Sequence, residues 1–491
     1  MVNYKKGIAA VSAMVMCAAL AGCGGTAAPA TTTAPAAGGD TTTAAAAETT
    51  KAAEETTTAT MKEEDASVIQ EVEIEDADTL ENPTLRWLSW WDINPSGDAP
   101  KGADLELFET KYGGKIEFIE TTWDTRWDDL GKLVASGDSP DMYPGADLDA
   151  FPARAIKMVD PIDDIIDISS PDIPKGAKQI IDMCSVNGKH YLACANANAG
   201  FIMIYNKKTL EENGLDDPAE LAYNNEWTWD KFKEMCYDFA DRDEDKFAID
   251  GWWYEAAMVL STGKPIIGTE NGVMTNNLMS KELERVENFF LDFKNDDVFS
   301  PLDEWGWTIK PERMAEGKTL FYPIGRWGLQ TTDYSQFGEV GDVMFVPTPR
   351  DPEADEWYVT AQGGLEAFLL CKGAKNPEAV GAWYKCVLAK NKDESIKEVG
   401  EKQLREDYHW TDEMIEMDKF INDLTNAHPM IDFYQSLTTE DARPDGFNPR
   451  FADAITDASH NGKDWYTTRE EIGTEVQTRV DQVNEDLKKL N

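Results

Sequence analysis

Between Thr84 and Tyr143 short apolar runs alternate with amphipathic stretches, and this alternation restricts the fold more than any other feature of the chain. Thr84 to Trp91 (TLRWLSWW), Lys115 to Trp123 (KIEFIETTW) and Asp141 to Tyr143 read as strands. Gly102 to Tyr112 and Arg126 to Ser136 read as helices, the second with Leu130, Leu133 and Val134 at helical spacing. Parallel strands need a crossover connection, which a helix commonly supplies, so this βαβα succession predicts an α/β fold with a largely parallel sheet.

The pattern then restarts. Asn187-Gly188 inside VNGKHYLA (Val186 to Ala193) marks a tight hairpin. Phe201 to Tyr205 reads as a buried strand running into a helix that ends near Gly214. Trp229 to Ala240, with Thr228 as its N-cap, and Ser280 to Lys294 read as amphipathic helices. Asp342 to Pro349 and Gly363 to Cys371 are strand-like, and helical patterns dominate from there to Arg469–Leu490. About 400 residues are more than one core usually organises, so two lobes are expected.

The amino-terminal region is of another kind. Lys5 and Lys6 precede an uncharged run from Gly7 to Gly22, which reads as an export signal over residues 1–22. Leu20-Ala21-Gly22-Cys23 resembles the bacterial lipobox, which would make Cys23 a lipid-bearing N-terminus. Residues 23–83, rich in Thr, Ala and Glu, then read as a disordered tether, extended by the acidic stretch Lys62 to Glu81. The expected location is the extracellular face of the cell membrane, lipid-anchored.

Composition narrows the chemistry. The chain carries 46 Lys and Arg against 92 Asp and Glu, a net charge of −46. The signal removes only Lys5 and Lys6 from that balance, so nucleic acid and anionic lipid headgroups are poor partners. Outside the signal and the anchor stand five cysteines, Cys184, Cys194, Cys236, Cys371 and Cys386, with no CxxC pair, and the spacing leaves open whether any of them pair. The four histidines form no HxH or HxxxH cluster, so no metal is expected. Asp241 to Trp252 imitates a calcium loop at its first, third and fifth positions, but Lys246 stands where that loop needs Gly and Trp252 where it needs Glu. No G-x-S-x-G elbow, Walker loop, GxGxxG turn or HExxH helix occurs; no cofactor and no catalytic residue are expected.

Open α/β sheets bind ligands beyond the carboxyl ends of their strands. The first strand delivers Trp90, Trp91 and Asp92 there, the second Trp123 and Asp124, and the third runs into Asp147 and Asp149. The second region offers Trp253, in GWWYEAA, and Trp327, after Gly325, whose backbone freedom is expected to aim the indole. Indoles beside carboxylates suit a saccharide, which stacks its C–H faces on rings and donates hydroxyls to carboxylate oxygens. Trp90 and Trp91 should point to opposite faces if the strand continues through them, leaving open which meets a ligand. Trp87, Trp229 and Trp383 lie within strand or helix patterns and are expected in the core.

In their order and spacing, GDSPDMY (Gly137 to Tyr143), VNGKHYLA, IYNKKTLEENGL (Ile204 to Leu215), WTWDKF (Trp227 to Phe232), MAEGKTLFYPIGRWG (Met314 to Gly328) and GGLEAFLL (Gly363 to Leu370) resemble the family 1 extracellular solute-binding proteins of ABC importers, the maltose-binding-protein-like group. The resemblance implies a two-lobe periplasmic-binding-protein-like fold, with lobes of 84–197 plus 343–390 and of 198–342 plus 391–491. Three crossovers, near Asn196–Gly200, Gly338–Val343 and Ala389–Asp393, would join them. It implies a monomer that captures a sugar, expected to be an oligosaccharide, between the lobes and delivers it to ABC permease subunits, and it adds Asn198 and Gly364 to the ligand-binding candidates. A cell-surface glycoside hydrolase or polysaccharide lyase is the alternative.

Overall fold

The computed structural model describes residues 61–74, 77, 79–95, 101–146, 151–153, 155–252, 254–437 and 453–490. The first part of the chain builds α1 (Glu63–Glu71), β1 (Thr84–Ser89), α2 (Ala103–Tyr112), β2 (Lys115–Glu120), α3 (Arg126–Ser136), β3 (Met142–Pro144), α4 (Lys175–Met183), β4 (Ser185–Val186), β5 (Lys189–His190) and β6 (Ala193–Ala197). The second contributes β7 (Ile202–Asn206), α5 (Lys207–Asn213), α6 (Pro218–Tyr223), α7 (Trp229–Phe239), β8 (Phe247–Ile249), α8 (Tyr254–Leu260), β9 (Ile267–Glu270), β10 (Val273–Asn276), α9 (Lys281–Asn295), α10 (Glu312–Ala315), β11 (Thr319–Ile324) and β12 (Val343–Val346). β13 (Val359–Thr360), β14 (Leu365–Leu370), α11 (Pro377–Lys392), α12 (Glu394–Asp407), α13 (Asp412–Ala427) and β15 (Pro429–Met430) follow, then helices Asp457–Asn461 and Trp465–Leu487.

Two sheets organise the two lobes. The first has the order β2-β1-β3-β14-β6, with β1 parallel to β2 and β3, and β14 antiparallel to β3 and β6. The second, β12-β7-β11-β8, is mostly antiparallel. Local signals act as the sequence predicts: Thr228 Oγ1 accepts from Lys231 N to cap α7, and Asn187 and Gly188, both at positive φ, turn the β4–β5 hairpin. Trp87, Trp229 and Trp383 are core residues. Phe108 meets Trp383 edge-on at 5.6 Å in the first lobe, while Phe232, Phe289, Phe293 and Phe321 pack around Trp227 and Trp229 in the second. All five cysteines are buried and unpaired. Among the described residues no helix is long and apolar enough to cross a membrane.

Three expectations need correction. The acidic stretch 62–81 is not extended throughout, because Glu63–Glu71 is a helix docked on α2 and α12. Ile69 is fully buried, Val68 and Val72 pack beside it, and Lys402 holds Asp65 at 2.9 Å, so the apolar face of this segment outweighs its charge. Val343–Val346 belongs to the second sheet rather than the first lobe, since it forms ladder hydrogen bonds with β7; the chain returns to the first sheet only at Leu365. Nor does it cross at 389–393, where α11 is still continuous and α12 then packs back on α11 and α1. α13 makes the transition, touching α4 and β6 on one side and β12 on the other. Three connecting segments run side by side: Gly200 N donates to Thr360 O at 2.8 Å, and β13 pairs with β15.

Candidate functional site

Register decides what faces what. In the first sheet β1, β2, β3 and β6 run in one direction and β14 opposes them, so the ends of those four strands and the start of β14 share one edge. In the second sheet Ile324, at the end of β11, pairs with Ile202, at the start of β7, and β8 ends at the same edge. The link from Ala197 to Ile202 therefore joins this edge of one sheet directly to that of the other, and open α/β sheets bind ligands beyond such strand ends.

The first edge carries an aromatic cluster. β1 ends at Ser89, so Trp90 and Trp91 escape strand alternation and their rings meet edge-on at 4.6 Å. Trp90 also meets Trp123 at 4.9 Å, and Trp87, beneath, donates its indole N–H to Trp91 O at 3.1 Å. Trp91 is 41% exposed, whereas Trp90 is half-buried between its neighbours, so Trp91 is the ring presented to solvent. One face of Trp123 is covered by the buried Arg126 guanidinium, 3.5 Å from the ring centroid. Asp92 Oδ1 accepts from Asn94 N and Nδ2, both at 2.9 Å, closing a turn rather than standing free.

Trp327, 45% exposed, lies in the short turn Arg326–Leu329 after β11 and lines a cleft of about 220 Å³ with Asn198, Gly200, Arg326, Gln330, Gly364 and Glu366. Three predicted residues, Asn198, Trp327 and Gly364, are thus brought together from separate segments. Glycine permits the close approach. A Cβ at Gly364 would lie 2.5 Å from Ala199 C, and one at Gly200 would lie 2.8 Å from Gln362 C. Gly325 has φ −67 and ψ 154, so its expected role in turning the backbone is corrected: a Cβ there would meet the Trp327 indole, and absence of a side chain is what the position needs.

Arg326, Gln330, Gly200 and Glu366 are not singled out by the sequence. Arg326 adjoins Trp327 beyond the same strand, so the strand-end rule could have found it; Glu366 lies inside β14, and no local signal marks it. Arg326 Nε and Nη2 donate to Asp418 Oδ1 and Oδ2 at 2.7 and 2.8 Å, a bidentate pair across to α13. Glu366 is held by Lys390 at 3.0 Å and by Asn391, and Lys390 also reaches Asp104 at 3.2 Å. Burial opposes the charge on Lys390, but Asp104 and Glu366 outweigh it and leave its pKa above the ordinary value. Cys23, Asp147, Asp149 and Trp253 lie outside the described residues.

The sequence profile described as bacterial extracellular solute-binding protein matches residues 105–396. The chain belongs to that family. Its members are binding proteins, which leaves the hydrolase or lyase alternative unsupported. The fold agrees with solved structures at low identity. A cyclo/maltodextrin-binding protein complexed with maltotetraose is 15% identical, with a TM-score of 0.54, covering 84% of this chain and 99% of that one. The cyclic α-maltosyl-1,6-maltose binding protein from Arthrobacter globiformis is 14% identical, with a TM-score of 0.56 and coverages of 82% and 99%. The galacto-N-biose-/lacto-N-biose I-binding protein of the ABC transporter from Bifidobacterium longum, in complex with lacto-N-biose, is 12% identical, with a TM-score of 0.55 and coverages of 82% and 97%. No curated protein matches the sequence.

Proposed function

We propose that this protein captures an oligosaccharide between its lobes and presents the closed form to the permease of an ABC importer. One observation carries the reading: exposed indoles, Trp91 and Trp327, stand at the ligand-facing edges of two sheets joined by the four residues between β6 and β7. Trp91, Trp123 and Trp327 supply stacking surface, while Asn198, Gln330 and Arg326 supply polar groups that fix hydroxyl orientation. Trp90 supports the wall through its edge-on contacts with Trp91 and Trp123. Relatives of the same fold that bind maltotetraose or lacto-N-biose support a saccharide ligand. Closure around the sugar adds contacts that the open form lacks, and only such differential contacts let the ligand shift the equilibrium.

Titration calorimetry of the soluble domain against a glycan panel tests this; we expect a dissociation constant of about 0.1–10 μM for a preferred oligosaccharide, with no turnover. Binding of no glycan, or steady conversion of the tightest ligand into smaller sugars, would refute it. The same proposal makes the protein a monomeric lipoprotein on the outer face of the membrane, anchored through Cys23 after removal of residues 1–22. Metabolic labelling with a fatty acid should mark the wild type and not Cys23→Ala; an unlabelled wild type removes the anchor.

A further inference from the structure

We infer that the cleft selects uncharged saccharides over uronate-bearing ones; this rests on the saccharide reading above and narrows it. Among the described residues only two charged side chains line the cleft, Arg326 and Glu366. Each is already held by an opposite charge of the protein from behind the cleft wall, and Lys390 is shared between Glu366 and Asp104. Asp418, whose side chain is only 13% exposed, takes Arg326 Nε and Nη2 in the two-point geometry that a ligand carboxylate would need. Lys390 and Asn391 take both oxygens of Glu366.

A carboxylate entering such a site loses its hydration and finds no unmatched cation on these walls to replace it, while Asp418 and Glu366 add like-charge repulsion. A hydroxyl is different. It needs only donors and acceptors, and a guanidinium has five N–H groups, so Nη1 of Arg326 remains outside the Asp418 pair as a charge-compensated donor. Asn198 and Gln330 offer neutral amides, and Trp327 offers a ring face. Asp418 is thus a specificity-determining residue that acts through Arg326 without itself lining the cleft.

The test titrates the wild-type protein with neutral di- to tetrasaccharides, each beside a counterpart in which one hexose is replaced by a hexuronate. The neutral member should bind at least about tenfold tighter than the uronate. Asp418→Asn, which frees Arg326 from its matching charge, should narrow the gap to the uronate to about threefold or less and make uronate binding salt-sensitive. A wild type that binds the uronate form as tightly as the neutral one overturns the inference and leaves sugar capture intact. Binding of neither overturns both. An Asp418→Asn protein that is folded but keeps the full wild-type discrimination also overturns it; should that variant fail to fold, the wild-type comparison decides alone.

Discussion

Gly325→Ala isolates the role of the indole beside it. At φ −67 and ψ 154 alanine is sterically allowed, so the change strains no backbone, and restricting the unfolded chain contributes about 0.4–1 kcal/mol of stability. Space is the obstacle. The new Cβ would lie 2.5 Å from Trp327 Cδ1 and 2.9 Å from Cε2, and nearer still to Nε1. Non-bonded carbons rest about 3.5–4.0 Å apart, so the indole has to move by roughly 1 Å or swing to another rotamer. With 45% of its surface exposed, Trp327 gives up little packing in doing so, and thermal stability should stay near that of the wild type. Binding should not. By analogy with bases stacked on aromatic side chains, loss of the platform costs about 1–3 kcal/mol, about 5- to 150-fold in affinity. Trp327→Ala sets the ceiling, and the double variant should lose little more than Trp327→Ala alone, because Gly325 acts only through the ring. Titration calorimetry with the tightest glycan, beside thermal unfolding, reads both quantities. If Gly325→Ala binds like the wild type while Trp327→Ala is weakened, or if the two losses add in full, the packing of glycine against indole is not what sets the platform.

Trp229→Ala provides the contrast: its ring is buried and donates to Ser261 Oγ at 3.0 Å, so unfolding experiments should show a loss of about 3–5 kcal/mol with glycan affinity of the folded protein nearly unchanged. Ile69→Ala tests the docked helix, since a fully buried isoleucine should cost about 2–5 kcal/mol in denaturant unfolding, whereas an extended leash would cost nothing. Glu287 is buried in α9 with neither oxygen hydrogen-bonded, and burial, then the nearby Glu255 and Asp457, push its pKa well up. A raised folded-state pKa contributes stability that is fully present below the unfolded value of about 4.3 and is lost as pH rises toward the folded one. Glu287→Gln should therefore gain on the wild type by up to about 1.4 kcal/mol per pH unit above that point, until the folded-state pKa is passed. Melting curves across pH 4 to 8 in which the difference is flat or reversed would refute this.

The alternation of 2-residue and 3.6-residue periods makes most elements of this chain legible in its sequence. Thr84–Ser89, Arg126–Ser136 and Trp229–Phe239 lie close to where apolar spacing and Thr228 place them, because those signals act within a few residues of themselves. The rule that ligands sit beyond strand ends draws attention to Trp91 and Trp327, and the order of short motifs along the chain is enough to suggest the family. Sequence leaves open whether Trp90 or Trp91 is presented, because that depends on where β1 stops pairing. It misplaces the second and third crossings for a related reason: β12 joins β7 through hydrogen bonds to residues some 140 positions away, which no local pattern encodes. The acidic stretch before β1 carries too little apolar surface to fold on its own, and α1 gains its stability from α2 and α12 instead. Tertiary structure alone matches Arg326 with Asp418 and Glu366 with Lys390. Charge compensation is set by distance and burial, and the fold brings together carboxylates and cations that sequence spacing leaves far apart.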